Sequence, residues 1–226
     1  MKIFVINLDS ATDRWEYYKD NDKFTRWSAY HWKDIAVTNP IFEKMVSYHN
    51  IDPDQHKAKC GCLYTHMMLW RYIIDNKIND ILILEDDALL MNELPTDLPQ
   101  DGFTYLGGFT SDYKITKGPK KIKFKNGINE IKHSEYKVLT TMAYYIPHWS
   151  IAHKMLRDVK QHDRYRAVDV MIRDTRCNQY VSYPASFIER PGESQIRKNN
   201  IKYCTDTYEY VGITKFKELY ANIFKD

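Results

Sequence analysis

Three adjacent carboxylates, Glu85-Asp86-Asp87, directly follow the wholly apolar run Ile81-Leu82-Ile83-Leu84. Carboxylates this close repel one another, so a fold that keeps them together at one strand end needs a compensating cation. On an extended chain, side chains two apart point the same way, which directs Glu85 and Asp87 toward a common point. Their hard oxygens suit Mg²⁺ or Mn²⁺, and an ion so held usually bridges to phosphate. An acidic triplet taken alone reads as a solvated loop that caps the next helix. Its place straight after a buried strand, where ligands of open α/β sheets bind, favours the metal. A second candidate is Asp169, set among apolar neighbours in Arg166-Ala167-Val168-Asp169-Val170-Met171. Spacing alone makes it a helix cap or an ion-pair partner of Arg166 or Arg173; the functional alternative is a partly desolvated general base. His66 reads as a satisfied core histidine, and with Cys60-Gly61-Cys62 it shows no familiar metal-ligand spacing. The chain has no Gly-rich phosphate loop, Ser-His-Asp set or HExxH motif.

The elements that must position these groups follow from pattern. Ile3–Leu8 and Ile81–Leu84 are continuous apolar runs of the kind buried in a parallel sheet. Ser10-Ala11-Thr12-Asp13 matches a capping box with Ser10 as N-cap. Phe24–Ala29 predicts a short second strand, and Asn39-Pro40 the start of a helix with Pro at its first position. From Cys60 to about Asn76 apolar residues recur at helical spacing. Together these give β-α-β-α-β, an α/β fold with a mainly parallel central sheet flanked by helices. Farther on, a strand and turn are expected at 103–108, short exposed strands around an Asn126-Gly127 hairpin, and one buried strand over Val138–Ile146. Helices are expected at Trp149–Val159 and Ala167–Arg176, then a strand through Val181. Residues Thr214–Phe224 read as amphipathic.

Composition sets the outer bounds. A chain of 226 residues with 43% hydrophobic and 28% charged residues can bury a real core and is not disordered. With no repeat or long linker it reads as a single domain over 1–226. Net charge is +3, too small to point to nucleic acid, and none is expected as a partner. No run nears the roughly 20 apolar residues of a membrane span, and the short apolar start is a strand rather than a signal-peptide core. A cytosol-like compartment is the expectation, with Cys60, Cys62, Cys177 and Cys204 as reduced thiols.

Several segments, in order, resemble glycosyltransferase family 25, the lipopolysaccharide-type and procollagen galactosyltransferase-like group. Val5-Ile6-Asn7-Leu8-Asp9 with Asp13-Arg14 looks like the family's opening. Gly61-Cys62-Leu63-Tyr64-Thr65-His66, followed by Trp70, is similar to its Gly-Cys-x-x-Ser-His segment, and Ile83–Ala88 to its acidic motif. Ala143–Ile146, Ala167-Val168-Asp169 and Tyr183-Pro184 through Ser194-Gln195-Ile196 resemble later positions. The likeness spans roughly residues 1–196. It departs at Tyr30-His31, where the family usually has Asp-Gly, at Thr65 for Ser, and at Gln195 for Asp.

The resemblance implies a GT-A-like, nucleotide-sugar-binding fold, with a donor-binding part at about 1–110 and an acceptor side at about 111–226, and an inverting transfer of a hexose, galactose or glucose, from a nucleoside-diphosphate sugar. The acceptor would be a hydroxyl of a glycan, a lipid-linked glycan or a protein. By position, Asp87 becomes the leading ligand of Mn²⁺ (or Mg²⁺) with Glu85 assisting. Asp86 would lie near the ribose, Asn7, Leu8, Arg14, Ala29 and Tyr30 around the nucleotide, and Asp169 would be the base. Two rival readings are another metal-dependent nucleotide-using enzyme, such as a nucleotidyltransferase, and a non-catalytic anion-binding module. The second would use the Lys-rich stretch 113–137, which could also give peripheral contact with an anionic membrane.

Overall fold

The computed structural model describes residues 1–36, 38–45, 53–107, 109–112, 124–132 and 136–189. In chain order the elements are β1 (Lys2–Asn7), α1 (Thr12–Trp15), β2 (Phe24–Ser28), a 3₁₀ turn at Trp32–Asp34, α2 (Pro40–Lys44), α3 (Pro53–Asp75), β3 (Ile81–Glu85) and β4 (Ala88–Leu90). They continue with β5 (Gly102–Tyr105), β6 (Phe109–Asp112), β7 (Gly127–Glu130), β8 (Tyr136–Leu139), β9 (Ala143–Ile146), α4 (Trp149–Gln161), α5 (Val168–Arg173), β10 (Asn178–Tyr183) and β11 (Phe187–Glu189).

Seven strands form the central sheet in the order β2-β1-β3-β9-β5-β10-β7. β1 is parallel to β2 and β3, and β5 to β10; β9 runs antiparallel to β3 and β5, and β7 to β10. Only β9 and β7 therefore run against the other five. The expected mixed α/β architecture with a mostly parallel sheet is what the chain adopts, and it is consistent with a GT-A-like fold.

The unbroken apolar runs have a direct cause: the sheet is covered on both faces. Phe4, Ile6, Ile81, Ile83, Tyr144 and Ile146 pack into one core with residues of α2–α5. Ile3, Val5, Leu82, Leu84, Ala143 and Tyr145 pack into a second core with Tyr18, Phe24 and the antiparallel pair β4–β11. Alternate side chains of one strand thus enter different cores, and neither face can be polar. The larger helices gather on one face; short α1 and the β4–β11 ribbon serve the other.

Local expectations change in four places. Ser10 does not cap α1: its N-cap is Ala11, without a side-chain hydrogen bond. The helix expected from Cys60 begins at Pro53. The strand expected over Val138–Ile146 breaks into β8 and β9, with Thr140 at φ +72° in between. Gly127, at φ +100°, opens β7, which pairs with β10 rather than across a local hairpin. The amphipathic stretch Thr214–Phe224, Gln195 and Cys204 lie outside the described residues. Of the cysteines described, Cys60, Cys62 and Cys177 are free thiols. Among the described residues no helix is long and apolar enough to cross a membrane.

Candidate active site

The parallel strands β1, β2 and β3 end at one edge of the sheet, and a cleft of about 730 Å³ opens there. That volume suits a ligand the size of a nucleotide sugar. Leu8, Arg14, Ala29, Tyr30, Glu85, Asp86, Asp87 and Asp169 all line it; Asn7 lies behind the wall, buried.

The pleat separates the acidic triplet. Odd positions of β3 face the helix-covered side, so Glu85 follows Ile81 and Ile83 toward α3. Asp86 follows Leu82 and Leu84 toward α1, where Asn7 arrives after Ile3 and Val5. There Asp86 accepts from Arg14 Nη1 (2.7 Å) and from Asn7 Nδ2 (2.7 Å). Asn7 Nδ2 also donates to the Ala11 carbonyl, and its Oδ1 accepts from Arg26 Nε (2.9 Å) and Nη2 (2.6 Å). Asn7 is thus an internal tie that fixes Asp86, with its amide occupied within the protein.

Glu85 Oε1 accepts from Thr141 Oγ1 (2.5 Å) and lies 3.4 Å from His66 Nε2. His66 is fully buried; its Nδ1 is 2.8 Å from Tyr144 Oη, which accepts from Trp70 Nε1 (2.9 Å). The Tyr144 oxygen accepts from the indole and keeps a second lone pair, so the direction of its hydrogen bond with His66 Nδ1 follows the tautomer of the ring.

Asp87 sits in the turn before β4. Its Oδ2 is 3.7 Å from Arg14 Nη1, while its Oδ1 is buried with no hydrogen-bond partner among the described residues. Burial, then the charges of Glu85, Asp86 and Glu189, push its carboxyl up to about 8, against the pull of Arg14. Burial, then Glu85, Asp169 and Asp87, likewise push the Cys62 thiol well above its ordinary range, which brings Asp169 into the same electrostatic neighbourhood.

Asp169 lies in the first turn of α5. Its Oδ2 accepts from the Thr140 amide (3.3 Å) and its Oδ1 from the Val170 amide (2.9 Å). Neither Arg166 nor Arg173 pairs with it; both bind Asp174 instead. The ion-pair reading of Asp169 fails, because the helix turns the two guanidinium groups toward a different carboxylate.

The wall at Ala29–Lys33 is seated on α3. Thr65 Oγ1 donates to the Gly61 carbonyl and accepts from the Tyr30 amide (2.9 Å). A Cβ on Gly61 would stand 2.8 Å from the Tyr30 carbonyl and 3.2 Å from the Trp32 nitrogen, so this close approach requires glycine. Thr keeps the hydroxyl of the expected Ser. Sequence reasoning missed Thr140, Thr141 and Glu189 as parts of the site. The polar pair Thr140-Thr141 interrupting an apolar strand was the signal for the first two; Glu189 had none. His66 is the core histidine expected, and the structure adds what spacing did not show: Cys62 and His66, one helical turn apart, converge with Glu85, so that their ligand atoms lie within 4.8 Å of one another.

The model of glycosyltransferase family 25, described as LPS biosynthesis protein, matches residues 1–172. The chain belongs to glycosyltransferase family 25. It is therefore a glycosyltransferase, acting between a sugar donor and an acceptor. A comparison with curated proteins finds no match.

Proposed function

We propose that this family 25 chain transfers a hexose, galactose or glucose, from a nucleoside-diphosphate sugar to a hydroxyl of a glycan, lipid-linked glycan or protein, with inversion. The observation that carries the reading is Asp87 Oδ1, a buried carboxylate oxygen with no hydrogen-bond partner among the described residues, beside Glu85 at the cleft. A carboxylate in that state calls for a cation, and an all-oxygen pair fits Mn²⁺ or Mg²⁺. Asp87 and Glu85 would hold it. Bound there, the ion would offset the charge that builds on the leaving nucleoside diphosphate.

The chain's own residues do the rest. Leu8, Ala29 and Tyr30 form the wall for the nucleotide. Asp86, fixed by Arg14 and Asn7, keeps lone pairs for the ribose hydroxyls. Asp169 takes the proton of the acceptor hydroxyl as that oxygen bonds to the anomeric carbon and the bond to the diphosphate breaks on the opposite face. Its two amide bonds fix its direction.

The test is release of nucleoside diphosphate from a panel of nucleotide sugars, with and without Mn²⁺. Turnover of one donor that requires the metal is expected. Folded protein that turns over no donor with either ion overturns the reading.

A further inference from the structure

The inner wall of the cleft carries a second group of ligating atoms, unlike the all-oxygen pair in character. Cys62 Sγ, His66 Nε2 and a Glu85 carboxylate oxygen lie within 4.8 Å of one another. Cys62 and His66 are four residues apart on α3 and share one of its faces; the pleat of β3 brings Glu85 to them. His66 is 0% exposed, and its Nε2 has no hydrogen-bond partner among the described residues although it stands 3.4 Å from Glu85 Oε1. A buried ring nitrogen left unbonded has lost its water without a replacement partner. Zinc ligands at bond lengths of about 2.0–2.3 Å sit roughly 3.5 Å apart around a tetrahedral ion. The His66–Glu85 separation is therefore poor for a hydrogen bond and suitable for two ligands of one ion. The wider spread of the group needs only a modest shift of the Cys62 side chain.

We propose that Cys62, His66 and Glu85 form a binding site for a borderline-soft divalent cation, Zn²⁺ foremost, on the inner wall of the cleft. Sulfur and imidazole nitrogen select Zn²⁺ or Co²⁺ over Mn²⁺ or Mg²⁺. A thiolate and a carboxylate together balance the charge of the ion. On binding, Cys62 gives one proton to solvent. The neutral imidazole ligates through Nε2 and carries its single proton on Nδ1, where it donates to Tyr144 Oη. Tyr144, held by Trp70, then serves as the outer partner that orients a ligating histidine. Glu85 belongs both to this site and to the oxygen pair of the transferase reading, so filling the one withdraws a ligand from the other.

The site goes beyond the transferase reading, and its test needs no turnover. Metal-free protein is titrated with Co²⁺ and followed by absorption. One equivalent should produce a near-ultraviolet thiolate-to-cobalt charge-transfer band, abolished when Zn²⁺ displaces the Co²⁺. Cys62→Ser should lose that band and bind Co²⁺ at least tenfold more weakly; His66→Gln should weaken binding to a similar degree while keeping the band at saturation. Absence of a band in the wild-type protein, or an undiminished band in Cys62→Ser supplied by another thiol, overturns the proposal. Should His66→Gln fail to fold, Cys62→Ser, which exchanges only sulfur for oxygen, decides alone. A cobalt band together with a failed donor panel would keep this site and remove the transferase reading; the converse pattern would do the reverse.

Discussion

Replacing Asp87 with Asn should stabilise the metal-free protein. In the folded chain its carboxyl is pushed up to about 8, by burial first and then by Glu85, Asp86 and Glu189. Its ordinary value is 3.8. The folded value lies above the unfolded one, so below about pH 3.8 both states hold the proton and nothing is lost. From there to about pH 8 the unfolded chain is ionised while the fold resists, and stability falls by up to ~1.4 kcal/mol per pH unit. At pH 7 the sum is about 4 kcal/mol, an upper bound because neighbouring carboxylates adjust together. The side chain is 18% exposed, so solvent screening takes only part of this. Asn keeps the shape and drops the charge. With roughly 2–4 °C per kcal/mol for a chain of this size, the variant should melt several degrees above wild type at pH 7 in chelator. The gap should close as pH falls toward 4. Thermal melts from pH 4 to 8, with EDTA and then with Mn²⁺, make the measurement. With Mn²⁺ the order should reverse, since only wild type gains a ligand. A variant less stable in EDTA at pH 7, or a gap that ignores pH, would refute the argument that Asp87 is a strained, cation-seeking carboxylate.

Asp169→Asn should abolish sugar transfer while titration calorimetry shows donor affinity changed by less than about threefold; retained transfer removes it as the base. Gly61→Ala places a methyl group against the Tyr30 carbonyl at 2.8 Å, which should cost about 1–3 kcal/mol in urea melts and raise the donor KM. Thr141→Val removes the hydrogen bond to Glu85 and should weaken Mn²⁺ binding about tenfold, read by electron paramagnetic resonance of free Mn²⁺, with an unchanged Tm. Burial holds the Cys177 thiol up at about 11, so native protein at pH 7 should leave it unalkylated by iodoacetamide while denatured protein reacts fully.

The sheet was legible because burial on both faces leaves a one-dimensional trace: runs such as Ile3–Ile6 and Ile81–Leu84 have no polar position to spare. Element ends were less so. Ser10 followed by Asp13 has the letters of a capping box, yet Ala11 caps α1, because Asn7 already reaches the Ala11 carbonyl and fixes the entering chain. The Asn126-Gly127 pair marked a real positive φ but not its strand partner, since pairing with distant β10 outweighs a local hairpin.

For the site, the sequence by itself determined the class of chemistry. Carboxylates crowded at the end of a buried strand, and an acid at a helix start, are local facts that residue types and adjacency carry. Which carboxylate does what was decided by the tertiary structure. The pleat and the two cores send Asp86 to Arg14 and Asn7, Glu85 to Thr141 and His66, and leave Asp87 Oδ1 without a hydrogen-bond partner among the described residues. Partnership across 19 to 79 residues of chain has no signature in spacing. It exists only once a sheet order that reverses through β9 has set those strands side by side.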